Sequence, residues 1–111
     1  MPFQAEPVHA IKANLFRVLG HPARVRILEL LRDGERSVGT LQTELELDSS
    51  GTSQHLAALR RIGLVATRRD GNSVYYRVDD NAVFDLLAAG RAIISRRLAT
   101  EQSILKALES E

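Results

Sequence analysis

Residues 49–78, SSGTSQHLAALRRIGLVATRRDGNSVYYRV, change period half-way along, and that change decides the fold. Up to Ile62 the apolar residues recur at helical spacing, and Gly63 is suited to the left-handed position just past a helix end. Beyond it, residues 65–70 and 73–78 read as strands, with Val74, Tyr76 and Val78 alternating on one face. Asp70-Gly71-Asn72 between them is a tight-hairpin signal.

Reading outward, Ser37 is a good N-cap for a short helix with Leu41 and Leu45 inward. Residues 46–48 then form a turn, and Asp48 or Ser49 caps the helix that reaches Ile62. Two helices joined by so short a turn, over 37–62, have the dimensions of a helix-turn-helix, and 65–78 would be its wing. Upstream, Val8, Ile11, Leu15, Val18 and Leu19 place an apolar stripe on a helix over 7–19, which Gly20-His21-Pro22 breaks. Pro22 suits the first turn of a second helix, which carries Val25, Ile27, Leu28, Leu30 and Leu31 and ends near Asp33-Gly34. A last long helix over about 81–108 carries Val83, Leu86, Leu87, Ile93, Ile94, Leu98, Ile104, Leu105 and Leu108. The expected fold is a mainly α (α+β) winged helix-turn-helix with about five helices and one β-hairpin, a single domain over 1–111.

Composition agrees with this. A chain of 111 residues makes one domain, and 44% hydrophobic with 26% charged residues is the balance of a soluble globular protein. Aromatics at 5%, with no Trp, imply an aliphatic core. No apolar run is long enough to span a membrane, and Met1-Pro2-Phe3-Gln4-Ala5-Glu6 lacks a secretory signal, so a cytoplasmic location is expected. The absence of Cys excludes disulfides, thiolate metal sites and thiol nucleophiles. There is no phosphate-binding glycine loop, and no Ser, His and acid arrangement is implied by spacing, so an enzyme is not expected.

The net charge of +1 hides an uneven distribution. Residues 33–48 hold Asp33, Glu35, Glu44, Glu46 and Asp48 against Arg36, whereas 49–78 hold Arg60, Arg61, Arg68, Arg69 and Arg77 against Asp70. On charge alone this fits a polyanion site and an ordinary solvated surface equally well. The helix after Asp48 separates them. With Thr52 at zero and about 100° per residue, Leu56 and Leu59 fall at about 40° and about 340°, on the buried side. Ser50, Gln54 and Arg61 lie opposite, with Ser53 at the edge. An outer face of Ser, Gln and Ala57 permits close approach to base edges in the major groove, and Arg60 and Arg61 can reach phosphates. Arg68, Arg69 and Arg77 flank the hairpin tip at Asn72 and Ser73, where they can reach phosphates or the minor groove. Charged edge strands that merely resist aggregation are the plainer reading of the same residues.

Three stretches, LGHPARVRIL at 19–28, SQHLAALRRIGLV at 53–65 and RDGNSVYYRV at 69–78, closely resemble the ArsR/SmtB family of bacterial winged-helix regulators, in the family's order. The resemblance covers roughly residues 15–87. It implies a homodimer formed by the first and last helices, bound to double-stranded DNA at an imperfect palindrome, with repression as the family default. It places Ser49, Ser50, Ser53, Gln54 and His55 on or beside the recognition helix and residues 69–73 in the wing. Ile11, Leu15, Leu87, Gly90, Ile94 and Leu98 then become the dimer-interface candidates, with Gly90 serving close helix approach or a simple kink. Gly51-Thr52 departs from the pattern of a better helix former followed by an aliphatic residue. Gly51 costs up to about 1 kcal/mol of helix stability and is expected to loosen the helix start.

Many relatives release DNA when a metal binds. Here residues 43–47 hold no Cys and the last helix holds no His, which leaves Asp79, Asp80, Asp85 and Glu101, and carboxylates alone bind Zn or Ni poorly. His21 is expected to pack or cap, and His55 to be structural or DNA-proximal. Glu6 and His9 remain, one turn apart, and with Glu101 of a second subunit they outline an intersubunit site for Ni, Zn or Co. A lone surface histidine is the commoner explanation of His9. A third reading is a regulator subunit that acts through a protein partner on its last helix rather than through DNA.

Overall fold

The computed structural model describes residues 7–110. The chain divides into two compact units, one up to Asp80 and the other from Asn81. The first holds α1 (Val8–Leu19), α2 (Pro22–Leu30), a 3-10 turn (Leu31–Asp33), β1 (Arg36–Ser37), α3 (Val38–Leu45), α4 (Ser49–Arg61), β2 (Ala66–Asp70) and β3 (Ser73–Arg77). The second is α5 (Ala82–Glu109). Together these are the five helices and the wing of a winged helix-turn-helix.

The helix boundaries follow local chemistry. Pro22 opens α2 behind an N-cap made by His21, whose Nδ1 accepts from the Ala23 N–H at 3.1 Å. Ser37 caps α3 by accepting from the Thr40 N–H at 3.1 Å. Glu46 ends α3 in the left-handed conformation, at φ 55° and ψ 39°, and so creates the sharp turn into α4. Asp48 caps α4, and Gly63 at φ 80° closes it while the Leu64 N–H returns to the Leu59 carbonyl at 3.0 Å.

The core of the first unit lies where α2, α3 and α4 meet, and it is aliphatic as expected. Ile27, Leu28, Leu41, Leu56 and Leu59 are fully buried, together with Thr52. The Thr52 hydroxyl donates to the Asp48 carbonyl at 2.9 Å, so its polar atom is satisfied while the side chain packs inward.

The hairpin belongs to a larger sheet than expected. The sheet has three antiparallel strands in the order β1-β3-β2, with Arg36 opposite Tyr76 and Ser37 opposite Tyr75. A two-residue strand carries no alternation, so only its pairing with β3 reveals it. Arg36 also ties this strand to the end of α2, donating from Nε to the Leu30 carbonyl at 2.8 Å.

The second unit is one helix of 28 residues, about 42 Å long. Val83 is buried, whereas every residue from Arg91 to Ser110 is exposed, including Ile93, Ile94, Leu98, Ile104, Leu105 and Leu108.

Truncating Leu59 to Ala should lower the unfolding free energy by about 2–5 kcal/mol, read as a lower urea midpoint at unchanged slope. A loss under about 1 kcal/mol would place Leu59 outside the cooperative core.

Candidate nucleic-acid interface

The buried stripe of α4 dictates its outer face. Thr52, Leu56 and Leu59 point into the core, so Ser49, Ser50, Ser53, Gln54, Ala57, Arg60 and Arg61 are exposed. The side chains of Ser49, Ser50, Ser53 and Gln54 make no hydrogen bond among the described residues, and Arg60 and Arg61 make no ion pair there. Their donors and acceptors are all available to a partner.

Gly51 has a second role besides its low helix propensity. Its N–H donates to Asp48 Oδ1 at 2.7 Å, and a Cβ at this position would stand 2.8 Å from the same oxygen. Glycine therefore allows the capping carboxylate to close tightly over the first turn of α4.

His55 lies at the inner edge of α4, half-buried. Its Nδ1 accepts from Arg24 Nε at 3.2 Å, and its ring meets that of His21 at 4.3 Å between centroids. Burial first, then the neighbouring His21 and Arg24, push the His55 imidazole below its ordinary 6.5. His55 thus faces α2, unlike Ser53 and Gln54.

The wing sorts its arginines. Asp70 pairs with Ser73 across a two-residue loop in which Gly71 adopts φ 61°, and Asn72 and Ser73 are exposed beside it. Arg68 lies over the Tyr75 ring, 4.6 Å from its centroid, and donates through both Nε and Nη2 to the Glu35 carboxylate. Arg77 is held by Asp79 Oδ1 at 2.8 Å and by the Thr67 carbonyl at 3.4 Å. Arg69 sits opposite Val74, on the other face from Arg68, and has no hydrogen bond or ion pair among the described residues. Three arginines that look equivalent in sequence therefore differ: two are engaged and one is free.

The candidate metal ligands would meet only between two subunits. Glu6 lies outside the described residues. His9 is exposed on α1, and Glu101 Oε1 accepts from Arg97 Nε at 3.3 Å. Among the described residues no group of three or more His, Asp or Glu converges. Arg24 and Glu35 were not among the sequence candidates. Glu35 is 33 residues from Arg68, a separation no local pattern signals, whereas the spacing of His21 and Arg24 does put both on one side of α2.

A model described as bacterial regulatory protein, arsR family, matches residues 21–67. The HTH-type transcriptional regulator Rv0081 of Mycobacterium tuberculosis is 44% identical over 108 residues, 96% of this chain and 95% of that one. The chain belongs to the arsR family. The crystal structure of Rv0081 superposes with a TM-score of 0.80 at 46% identity, covering 87% of this chain and 98% of that one. Mb0332 of Mycobacterium bovis, solved in solution as a homodimeric winged helix-turn-helix DNA-binding domain, gives 0.69 at 33% identity over 88% of this chain and 94% of that one. The biofilm growth-associated repressor of Agrobacterium fabrum is 38% identical over 81 residues, 73% of this chain and 69% of the repressor. This arsR-family chain is a DNA-binding transcription regulator and not an enzyme. No helix among its described residues is long and apolar enough to cross a membrane.

The hydrogen bonds from Arg68 hold the Glu35 carboxyl below its ordinary 4.5. The stability this contributes is complete above 4.5 and is lost as pH falls through the lower folded value. Glu35→Gln should therefore melt with a shallower pH dependence than the parent as pH falls below 4.5. Parallel curves would show that the pair adds nothing to the fold.

Proposed function

We propose that the chain acts as a homodimeric repressor that reads a palindromic operator through α4. The observation that carries this is the outer face of α4: exposed, uncharged Ser49, Ser50, Ser53 and Gln54 with unspent hydrogen-bonding groups, followed by Arg60 and Arg61. Ser and Gln side chains match base edges in the major groove, and the arginines suit the flanking phosphates. In the wing, Arg69 is the phosphate or minor-groove contact, since Arg68 and Arg77 are already engaged; Asn72 and Ser73 stand at the tip beside it.

The dimer is supported by apolar surface that a lone subunit leaves in water. Ile11 on α1 is 55% exposed, and Ile94 and Leu98 on α5 are 61% and 53% exposed. With Leu15, Leu87 and Gly90 these residues form an isologous interface. Mb0332 is a homodimer, and the Agrobacterium relative is a repressor. Two copies of α4 would then enter successive major grooves about 34–36 Å apart.

Titration of the full chain against its own upstream DNA and against scrambled DNA, at fixed salt, tests the reading. Gln54→Ala should cost about 1–3 kcal/mol on the specific site and little on scrambled DNA. Equal losses on both would remove Gln54 from base reading. Arg69→Ala should weaken binding to both DNAs and lower the salt slope by about one unit. An unchanged slope would rule out the phosphate contact.

A further inference from the structure

Two basic side chains at the start of α2, His21 and Arg24, meet His55 of α4, and among the described residues no carboxylate bonds to any of the three. Arg24 reaches in two directions: Nη1 donates to the Val18 carbonyl at the end of α1, at 3.2 Å, and Nε donates to His55 Nδ1 on α4, also at 3.2 Å. The His21 ring lies against the His55 ring at 4.3 Å, tilted by 46°, while its own Nδ1 accepts the Ala23 N–H that begins α2. Acceptance by His55 Nδ1 from Arg24 requires the neutral imidazole with its proton on Nε2. His21, the N-cap of α2, and Arg24 within it are, among the described residues, the charged or titratable groups that act on His55.

The core sets which face of α4 points outward, and a directional contact can fix the finer rotation within that arrangement. Aliphatic contacts are non-directional, so Leu56 and Leu59 tolerate small rotations that a hydrogen bond does not. The bond from Arg24 to His55 is directional, and His55 follows Ser53 and Gln54 on the same turn of helix. A rotation of α4 that broke it would carry Gln54 out of register with a base edge.

We propose that Arg24, clamped between the Val18 carbonyl and the His55 ring, is a positioning residue for the DNA-reading helix, and that the clamp holds only while His55 is neutral. The inference rests on the assignment of α4 to base reading. Protonation of His55 places a proton on the atom that accepts from Arg24 and sets two cations against each other, with His21 beside them. The clamp then opens, and the ratio of specific to non-specific binding falls. Total affinity for DNA need not fall, because the added positive charge favours any polyanion. The burial that pushes His55 below 6.5 favours the neutral ring, and with it the closed clamp, near neutral pH.

The test compares the full-length parent with His55→Asn, His55→Ala and Arg24→Ala. Asn is the conservative variant, since its Oδ1 takes the place of Nδ1 as an acceptor and does not titrate. Binding to a sequence that the parent selects from a random DNA pool, and to a scrambled version of it, is measured by anisotropy at about pH 7.5 and about pH 5.5 at constant ionic strength. In the parent the specific-to-scrambled ratio should fall about tenfold on acidification, should stay high in His55→Asn at both pH values, and should be low at both in His55→Ala and Arg24→Ala. A parallel fall in the parent and His55→Asn would overturn the clamp, as would an undiminished ratio in Arg24→Ala. Nitrogen-15 NMR of the histidine rings in the free protein reads the clamp without DNA. His55 should carry its proton on Nε2, and its Nδ1 signal should shift in Arg24→Ala. An unmoved Nδ1 signal sinks the proposal, whereas a shifted signal with no DNA selected keeps the clamp and refutes the base-reading role of α4.

Discussion

Burial of Thr52, Leu56 and Leu59 along one stripe of α4 is the constraint on which the rest depends. Helical geometry ties the two sides of a helix together, so once those residues are inside, Ser53, Gln54 and Ala57 face outward. The same stripe sets the packing of α2 and α3, which together with α4 enclose the fully buried leucines and Ile27. Thr52 shows how closely folding and presentation are linked. Its hydroxyl returns to the Asp48 carbonyl, and the Asp48 carboxylate caps the first turn, so one residue pair ends the turn and starts α4.

Electrostatics refine what packing sets up. The acidic stretch before α4 does not simply oppose the basic stretch after it. Glu35 takes Arg68 out of circulation and holds it against Tyr75, and Asp79 does the same for Arg77. These exposed pairs add little stability, but they fix the posture of the wing. Arg69, on the opposite face from Arg68, is left as the wing arginine with its charge available. On α4 the polar outer residues are short, and the charged ones wait until Arg60 and Arg61. The short, uncharged outer face of α4 is thus kept apart from the free arginines.

Most of the fold was legible because its signals are local. The switch in period at Gly63, the Pro22 helix start, the Ser37 cap and the turn at Gly71 each depend on residues within one or two turns. What escaped was non-local. Strand β1 exists only through its pairing with Tyr75 and Tyr76, and the Glu35–Arg68 and Arg24–His55 contacts join residues more than thirty positions apart. In sequence Gly51 is a helix weakness because propensity is local, whereas its advantage, room for the Asp48 carboxylate, is a matter of three-dimensional fit. The outward face of α4 was legible from the helical wheel. The division of labour among Arg68, Arg69 and Arg77 was not, since it depends on which carboxylates the sheet brings near.

Selection of DNA sequences by the purified full chain from a randomised pool tests the central claim most directly, because it assumes no operator. A dimer that presents two copies of α4 should enrich an inverted repeat whose half-site centres lie about one helical turn, 10–10.5 base pairs, apart. Failure to enrich any sequence, or enrichment of a single half-site without a symmetric mate, would contradict the account.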